Sequence, residues 1–507
     1  MKHILKFRNK NVSPKIYLLF AITFFMLSCD LEEEVISFRT DSNFYANQEE
    51  LNRGVIATYS GLYEVLAVEW SVTEQRSDNT FTDPDASPES NFQNFTLDRF
   101  QVETNNTLNQ EYYAACYKAI ALANRIIANL DVAADENLRN QYEGEAKFIR
   151  ALLHFNLTRL YGSIIISDQI VIGEEGQQLA RQAQTEVYDF IIQDLLDAVS
   201  LLPESYDASD FGRATSIAAR TILGKVYLTA PEKDVEAAIT QLEYVRDQSD
   251  RDLVSSYDLL FDENNEVNEE VIFSVRYETG LVGLGSIFPN LFAPVRSTGS
   301  ILGVFGDGDG RNIPSQDMSD AYETDDVRKA SSMADGFTIE NGDGPEDDEF
   351  RLDKYVLKYN PASASAVEDG PVDFPVTRYA DVLLMLSEAY VDARGIMEAL
   401  TELNKVRVRA GLAPLTESDT PSTFAFRLAL EQERRVEFAF ENHRLFDLLR
   451  TGRAMTVLNT HFSTEFAYND PDNPDRGAGP ISSFQLLLPI PQREIDLNPN
   501  LAQNIGY

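Results

Sequence analysis

Cysteine, histidine, tryptophan and positive charge are all scarce in this chain, and each shortage closes off a class of function. Of 507 residues, two are Cys, four are His and one is Trp. Apart from Cys29 near the N-terminus only Cys116 remains, so two core cysteines cannot pair in a disulfide. Cys116 sits at helical spacing in YYAACYKAIALAN and is expected to be a small buried hydrophobe. His3, His154, His443 and His461 stand at no metal-ligand spacing with one another or with a cysteine. The chain has no G-x-S-x-G elbow, no phosphate loop and no dinucleotide fingerprint. Glycoside hydrolysis needs only two carboxylates, which 82 acids could supply, but no catalytic motif accompanies them and no enzyme is expected. Lys and Arg number 43 against those 82 acids, for a net charge of −39. Such a field repels phosphate backbones and anionic lipid, which sets nucleic acid aside as a partner.

What is present begins at the N-terminus. Residues 2–15 carry five Lys or Arg and no acid, residues 16–28 are an almost unbroken apolar run, and Cys29 closes it. A charged start, a short apolar core and a small residue before the cut describe a secretory signal peptide. Thirteen residues at about 1.5 Å each span roughly 20 Å, short of a hydrocarbon core about 30 Å thick. No later stretch approaches eighteen apolar residues. The cysteine at the cut resembles a bacterial lipoprotein signal, which implies a diacylated Cys29 as the mature N-terminus; two or more acyl chains hold a soluble domain on a membrane where one does not. Asp30, Glu32, Glu33 and Glu34 come directly after it, as in surface-exported lipoproteins of the Bacteroidetes, and imply an outward-facing protein. Removing residues 1–28 takes five bases and no acid, leaving a net charge of −44.

Helical periodicity dominates the chain beyond the polar tether at 29–47. Helices are predicted at 48–66, 108–130, 136–161, 185–202, 215–229, 235–245, 377–393, 397–410 and 423–441. Leu386, Ser387, Tyr390, Ala399, Leu403 and Val406 fall on the spacing of a tetratricopeptide repeat. Leu223, Gly224 and Tyr227, then Ala238, Leu242 and Val245, fit it with two extra loop residues. Helix pairs of this kind cannot bury their apolar faces alone and are expected to stack. The stretch 251–375 differs: short strand-like runs at 271–277 and 355–359 lie among Gly, Pro, Asn and acids. Such long irregular excursions are commonly functional, so this stretch and the 67–106 loop are the places to expect a ligand.

Five further blocks carry a family resemblance. They are GEAKFIRALLHFNLTRLYG at 144–162, RYADVLLMLSEAY at 378–390, LNKVRVRAGL at 403–412, ERRVEFAFENHRLFDLLRTGRA at 433–454 and LLLPIPQREIDLNPNLAQNIGY at 486–507. In this order, behind a lipoprotein start, they resemble the SusD/RagB family of outer-membrane nutrient-binding lipoproteins over nearly the whole mature chain. The resemblance implies an all-α dominated fold of four tetratricopeptide-like helix pairs packed against an irregular, loop-rich region with a few short β-hairpins. It implies SusD-like helical parts at 48–250 and 376–507 flanking a ligand-facing 251–375. It also implies a SusC-like TonB-dependent transporter as partner, with the protein lipid-anchored in the outer membrane and facing the exterior. The ligand implied is a glycan or, in RagB-like members, a peptide; the negative charge favours a neutral polymer. A helical-repeat interaction module with no small ligand is the further alternative.

The dense charges Arg434, Arg435, Glu437, Glu441, His443, Arg444 and Asp447 read best as a salt-bridged helix end fixing the C-terminal segment, and Pro489 and Pro491 as a turn locking the terminus. Asp307-Gly308-Asp309-Gly310 and the acids at 470, 472 and 475 look like calcium loops but lack the closing Glu; no cofactor is expected. A sugar site needs flat apolar surface for the C–H faces of the ring and polar side chains for its hydroxyls. Trp70, with Glu74, Arg76, Asp78 and Asn79 close behind, is the best local match, and core packing is the other reading of Trp70. Phe92 and Asn94 from SPESNFQNF, and Phe288, Asn290 and Arg296 from the irregular stretch, complete the candidate set.

Overall fold

Local capping chemistry starts most of the helices where the periodicity places them. The computed structural model describes residues 44–82, 88–207, 210–303, 306–339, 349–360, 364, 366–469 and 480–507. The chain forms two units, Met1–Tyr45 and Ala46–Tyr507. The second opens with helix α1 (Gln48–Val72), which begins where the Asn47 side chain accepts from Glu50 N. After β1 (Thr80–Phe81) come α2 (Pro88–Asp98), α3 (Thr107–Ala128) and α4 (Glu136–Tyr161). Asn106 and Asp135 cap α3 and α4 with their side-chain oxygens, and α4 ends at Gly162. Next are α5 (Gln184–Leu201), α6 (Ser216–Thr229) and α7 (Val235–Gln248).

These helices pack in series: α1 on α3, α3 on α4, α4 on α5, α5 on α6 and α6 on α7. Gly224, in the repeat-like stretch of α6, permits one of these contacts, since a Cβ there would lie 2.7 Å from Leu242 of α7. The series continues onto α11 (Tyr379–Ala393), which packs on α7 and on α12 (Ile396–Arg409). Cys116 is fully buried in this core, which raises its thiol pKa well above the ordinary value and leaves it an inert hydrophobe. The chain closes with α13 (Thr423–Glu437), α14 (Arg444–Arg450), α15 (Ala454–Asn469) and α16 (Gln492–Leu497).

Between α7 and α11 lie α8 (Phe288–Phe292), α9 (Gln316–Asp320), α10 (Arg328–Ser332) and strands β2 (Val271–Val275), β3 (Ile313–Pro314), β4 (Met333–Ala334), β5 (Phe337–Ile339), β6 (Glu349–Arg351), β7 (Tyr355–Val356) and β8 (Phe374–Arg378). They form antiparallel two-stranded pairs, β1 with β3, β2 with β8, β4 with β7 and β5 with β6. The fold is therefore helix-dominated with small β elements, as expected. The 377–393 helix begins two residues later than predicted because Phe374–Arg378 is spent on pairing with β2. The 423–441 helix stops at Glu437, and Phe440 and Asn442 then take positive φ values of 66° and 63°.

Buried ion pairs hold the irregular stretch to the helices. Arg378 reaches Glu270 at 2.8 Å, Glu437 at 2.6 Å and Glu441 at 2.8 Å. Arg328 engages Asp326, Glu433 and Glu437, and Lys358 lies 2.6 Å from Glu441. All of these side chains are buried. Such pairs add little net stability over an apolar core, but removing one partner strands a buried charge. The C-terminal lock is seen as well: Leu488 N donates to Leu160 O at 2.8 Å, and Asn109 Nδ2 to Pro489 O at 2.9 Å.

Candidate functional site

Trp70 is not a surface platform. Helix α1 runs on through it to Val72, and the indole is buried at 4% exposure, its N–H donating to Ala67 O and its ring meeting the edge of Phe292 at 5.6 Å. The physical reason is the extension of the helix, which turns the residue inward onto the core instead of into a loop.

The polar residues behind Trp70 are buried too, as a clamp between the 74–79 turn and the C-terminal helices. The Glu74 carboxylate accepts from Asn79 Nδ2 and from the backbone N–H groups of Phe440 and Asn442, and burial pushes its pKa up to about 7. Arg76 donates to the carbonyls of Gln485 and Leu486 and lies 4.6 Å over the Phe100 ring; burial lowers its pKa to about 10. Asp78 meets Arg444 with both oxygens, and Asn79 Oδ1 accepts from Arg435 Nε. Burial alone would raise the Asp78 pKa, but Arg435 and Arg444 outweigh it and hold the carboxyl well below the usual range. Arg434 likewise pairs with Asp381 and Asp447, as expected of a salt-bridged helix end.

Phe288 is buried as well, stacked on Phe292 at 5.3 Å and packed against Tyr359 and Phe374. Trp70 thus packs against α8 through Phe292, and α8 is itself largely buried. Arg296 is exposed, in a turn with φ 59°. Asn290, on α8, accepts from Glu368 N through Oδ1 at 2.7 Å, while its buried Nδ2 has no partner among the described residues. On α2, Phe92 is 55% exposed, and Asn94 is buried with Oδ1 unpaired among the described residues. The β1–β3 pair, Thr80 opposite Pro314 and Phe81 opposite Ile313, ties the stretch before α2 to the stretch after α8.

A loop that the sequence pattern does not reveal adjoins α8, because Glu368, which donates to Asn290, precedes the residue that holds it. Asp369 Oδ2 accepts from Thr279 Oγ1 at 2.9 Å, Gly280 N at 2.8 Å and Leu281 N at 3.2 Å. The carboxylate fixes residues 279–281, and Leu281, at 75% exposure, together with Val282 and Leu284 projects into solvent. The glycines of ETGLVGLG were the only local signal. The clamp thus holds three apolar side chains exposed along one short loop.

Among the described residues no group of three or more His, Cys, Asp and Glu is placed to hold a metal. Asp307, the first acid of one calcium-like run, accepts from Thr298 N. The acids at 470, 472 and 475, the signal stretch and Cys29 lie outside the described residues. Among the described residues no helix is long and apolar enough to cross a membrane.

Known proteins resemble this chain along its length. Residues 332–507 match the family described as "SusD family", and residues 33–228 the family described as "Starch-binding associating with outer membrane". A SusD-like protein of Formosa agariphila is 26% identical over 98% of this chain and 99% of its own. A SusD-like protein of Bacteroides ovatus is 28% identical over 66% of this chain and 64% of its own. Among solved structures, a SusD homolog from Bacteroides thetaiotaomicron aligns with TM-score 0.77 and 22% identity, over 92% of this chain and 99% of that one. A laminarin-binding SusD-like protein aligns at 0.73 and 23% identity, over 91% and 100%. Surface glycan-binding protein A of Bacteroides thetaiotaomicron, in complex with laminarihexaose, aligns at 0.73 and 20% identity, over 90% and 99%.

Proposed function

The chain belongs to the SusD family, and on that premise we propose that it is a non-catalytic glycan-binding protein of the outer-membrane surface that passes oligosaccharide to a SusC-like TonB-dependent transporter. Anchoring would run through acylated Cys29, with 29–47 as the leash, 48–250 and 376–507 as the helical support and 251–375 as the side that meets ligand. The glycan-binding neighbours support the ligand class, and the family description supports association with the outer membrane.

One observation carries the reading: the Asp369-clamped loop and the Arg296 turn present apolar and polar groups to solvent beside the buried aromatic residues of α8. The C–H face of a pyranose can lie on Phe92 or on the aliphatic surface of Leu281 and Val282. Arg296, exposed in its turn, supplies hydrogen bonds to hydroxyls. Preorganised groups lose little entropy when a ligand arrives. A neutral polymer suits the −39 charge of the chain.

The exposed aliphatic side chains also favour a second reading, a RagB-like peptide binder, because Leu and Val accept peptide side chains as readily as sugar faces. Affinity electrophoresis against neutral and acidic glycans, laminarin included, separates the two. Retardation on a neutral glycan supports the first reading. No retardation on any glycan, together with binding to peptides, overturns it.

A further inference from the structure

A second cleft lies between α1, the 210–213 turn and the end of β2. It has a volume of about 250 Å³ and is lined by Tyr59, Tyr63, Phe211, Arg213, Ser274 and Arg276, among others. Nothing in the family-like sequence blocks points to Phe211 or Arg276.

Its walls are built, not incidental. The Arg276 guanidinium lies 4.8 Å over the Phe211 ring and is held by Glu266 at 3.0 Å and Asp373 at 3.4 Å. Gly212, at φ 97°, makes this possible: a Cβ there would come within 2.7 Å of Arg276 Cδ. Opposite, Arg213 is held by Asp210 at 2.7 Å, by Glu145 at 3.1 Å and by Asn52 at 2.8 Å. Tyr63 donates to Arg276 O at 2.6 Å, and Tyr59 to Glu145 at 2.7 Å. Two guanidiniums and two phenols are thus locked before any ligand arrives.

The same contacts select the ligand chemistry. Each guanidinium already faces two carboxylates, so the cleft carries no surplus positive charge to attract an anion. Guanidinium groups on both sides also disfavour a metal ion. A charged rim over aromatic rings disfavours a purely apolar guest. What fits is an uncharged ring with C–H faces and a hydroxyl rim. Two groups are placed to serve it: the Asp210 side chain is 47% exposed and the Arg276 side chain 35%. Among the described residues neither Asp210 Oδ2 nor Arg276 Nη1 is hydrogen-bonded. The volume lies below the roughly 300–1,000 Å³ of pockets for drug-sized ligands, which limits the guest to about one sugar ring.

We propose that this cleft is a second carbohydrate subsite, which takes a single neutral pyranose or the end residue of a chain between Tyr63 and Phe211, with Asp210 and Arg276 binding its hydroxyls. The ligand class rests on the glycan reading above; the location does not.

The test is saturation-transfer NMR on the full chain with glucose, galactose, mannose, xylose and fucose, each alone. Transfer to at least one sugar is expected, weakened about tenfold in affinity by Phe211→Ala and by Asp210→Asn. It is expected to persist in Phe92→Ala, which blunts the other face. Asp210→Asn keeps the volume and one hydrogen-bonding oxygen, so it stands if Phe211→Ala does not fold. No transfer to any sugar overturns the proposal, as does transfer that survives both cleft variants or is lost in Phe92→Ala. Failure of the glycan reading looks different, as no retardation on any polysaccharide gel while monosaccharide transfer still depends on Phe211.

Discussion

Asp78 and Arg444 meet in a buried bidentate pair, Nε to Oδ1 at 2.7 Å and Nη2 to Oδ2 at 2.8 Å, across 366 residues of chain. The pair joins the turn after α1 to α14, and thus the two parts of the chain that match separate family descriptions. Glu74 does the same work beside it: by accepting from Phe440 N and Asn442 N, it holds the two positive-φ residues that end α13. Residues that read as a sugar site along the chain are a keystone in space.

Asp78→Ala should therefore take from Arg444 its bidentate carboxylate, leaving Glu431 at 3.6 Å as its remaining acidic partner, while Arg435 keeps Asp317. A loss on the order of 3–5 kcal/mol in urea unfolding is expected, as for other broken buried pairs. A loss below about 1 kcal/mol would contradict the keystone role, since that is the range of exposed pairs.

Trp70→Ala removes a buried indole from beneath α8. It should cost about 3–5 kcal/mol, visible as a lowered thermal midpoint. Trp70→Phe keeps a ring against Phe292 and should leave glycan retardation close to that of the parent. Retardation abolished by Trp70→Phe with the midpoint unchanged would return Trp70 to the ligand.

Glu69 makes stability depend on pH. Burial pushes its carboxyl up to about 7, against the opposing pull of Arg159 and the Tyr112 and Asn442 hydrogen bonds. The folded state thus keeps a proton that the unfolded chain gives up near 4.5. This stabilisation is complete below about pH 4.5 and is lost as pH rises through about 7. Glu69→Gln, matching the protonated form, should be as stable as the parent at pH 4.5. At pH 8 it should be more stable, on the order of 3 kcal/mol. His443 works in the opposite direction: burial lowers it to about 3, so its stabilisation is present above pH 6.5 and lost as pH falls towards 3. Denaturation midpoints across pH 4 to 8 for parent and variants check both signs.

Phe92→Ala and Arg296→Ala change exposed side chains. Both should leave the thermal midpoint nearly unchanged, within about 0.5 kcal/mol, yet reduce retardation on the glycan that the parent binds. Asp369→Ala should release the 279–281 loop and reduce it too, whereas Asp369→Asn, which keeps an acceptor oxygen, should restore part of it.

Membrane partition is the consequence of the proposed anchor. The native chain should sediment with membranes, and Cys29→Ala should release it or leave it unprocessed. An immunoblot of fractions decides, and a Cys29→Ala chain that stays membrane-bound after cleavage would show that acylation is not the anchor.

The helices were legible because their signal is local. α4 matches its predicted bounds, and α3, α5, α6 and α7 come within three residues at either end, since apolar spacing and capping residues act within a turn or two of the chain. The charged 434–447 stretch was legible as structural for a related reason: so many alternating charges near one helix end have to find partners. α2 was missed because PESNFQNFTLD carries too few apolar residues to show a period. The Asp369 clamp was missed because its partners lie about 90 residues away.

Periodicity settled the helix-dominated class and the buried Cys116, because each depends on neighbours along the chain. Which polar residues face a ligand was decided only by the tertiary structure. Trp70, Glu74, Arg76, Asp78 and Asn79 have the chemistry of a sugar site, yet all five are buried: Trp70 packs on Phe292 of α8, and the four polar residues meet α13, α14, the turn between them or the C-terminal segment. Side-chain type sets what a residue can bind, but exposure depends on segments hundreds of residues away. Only folding brings those segments into place.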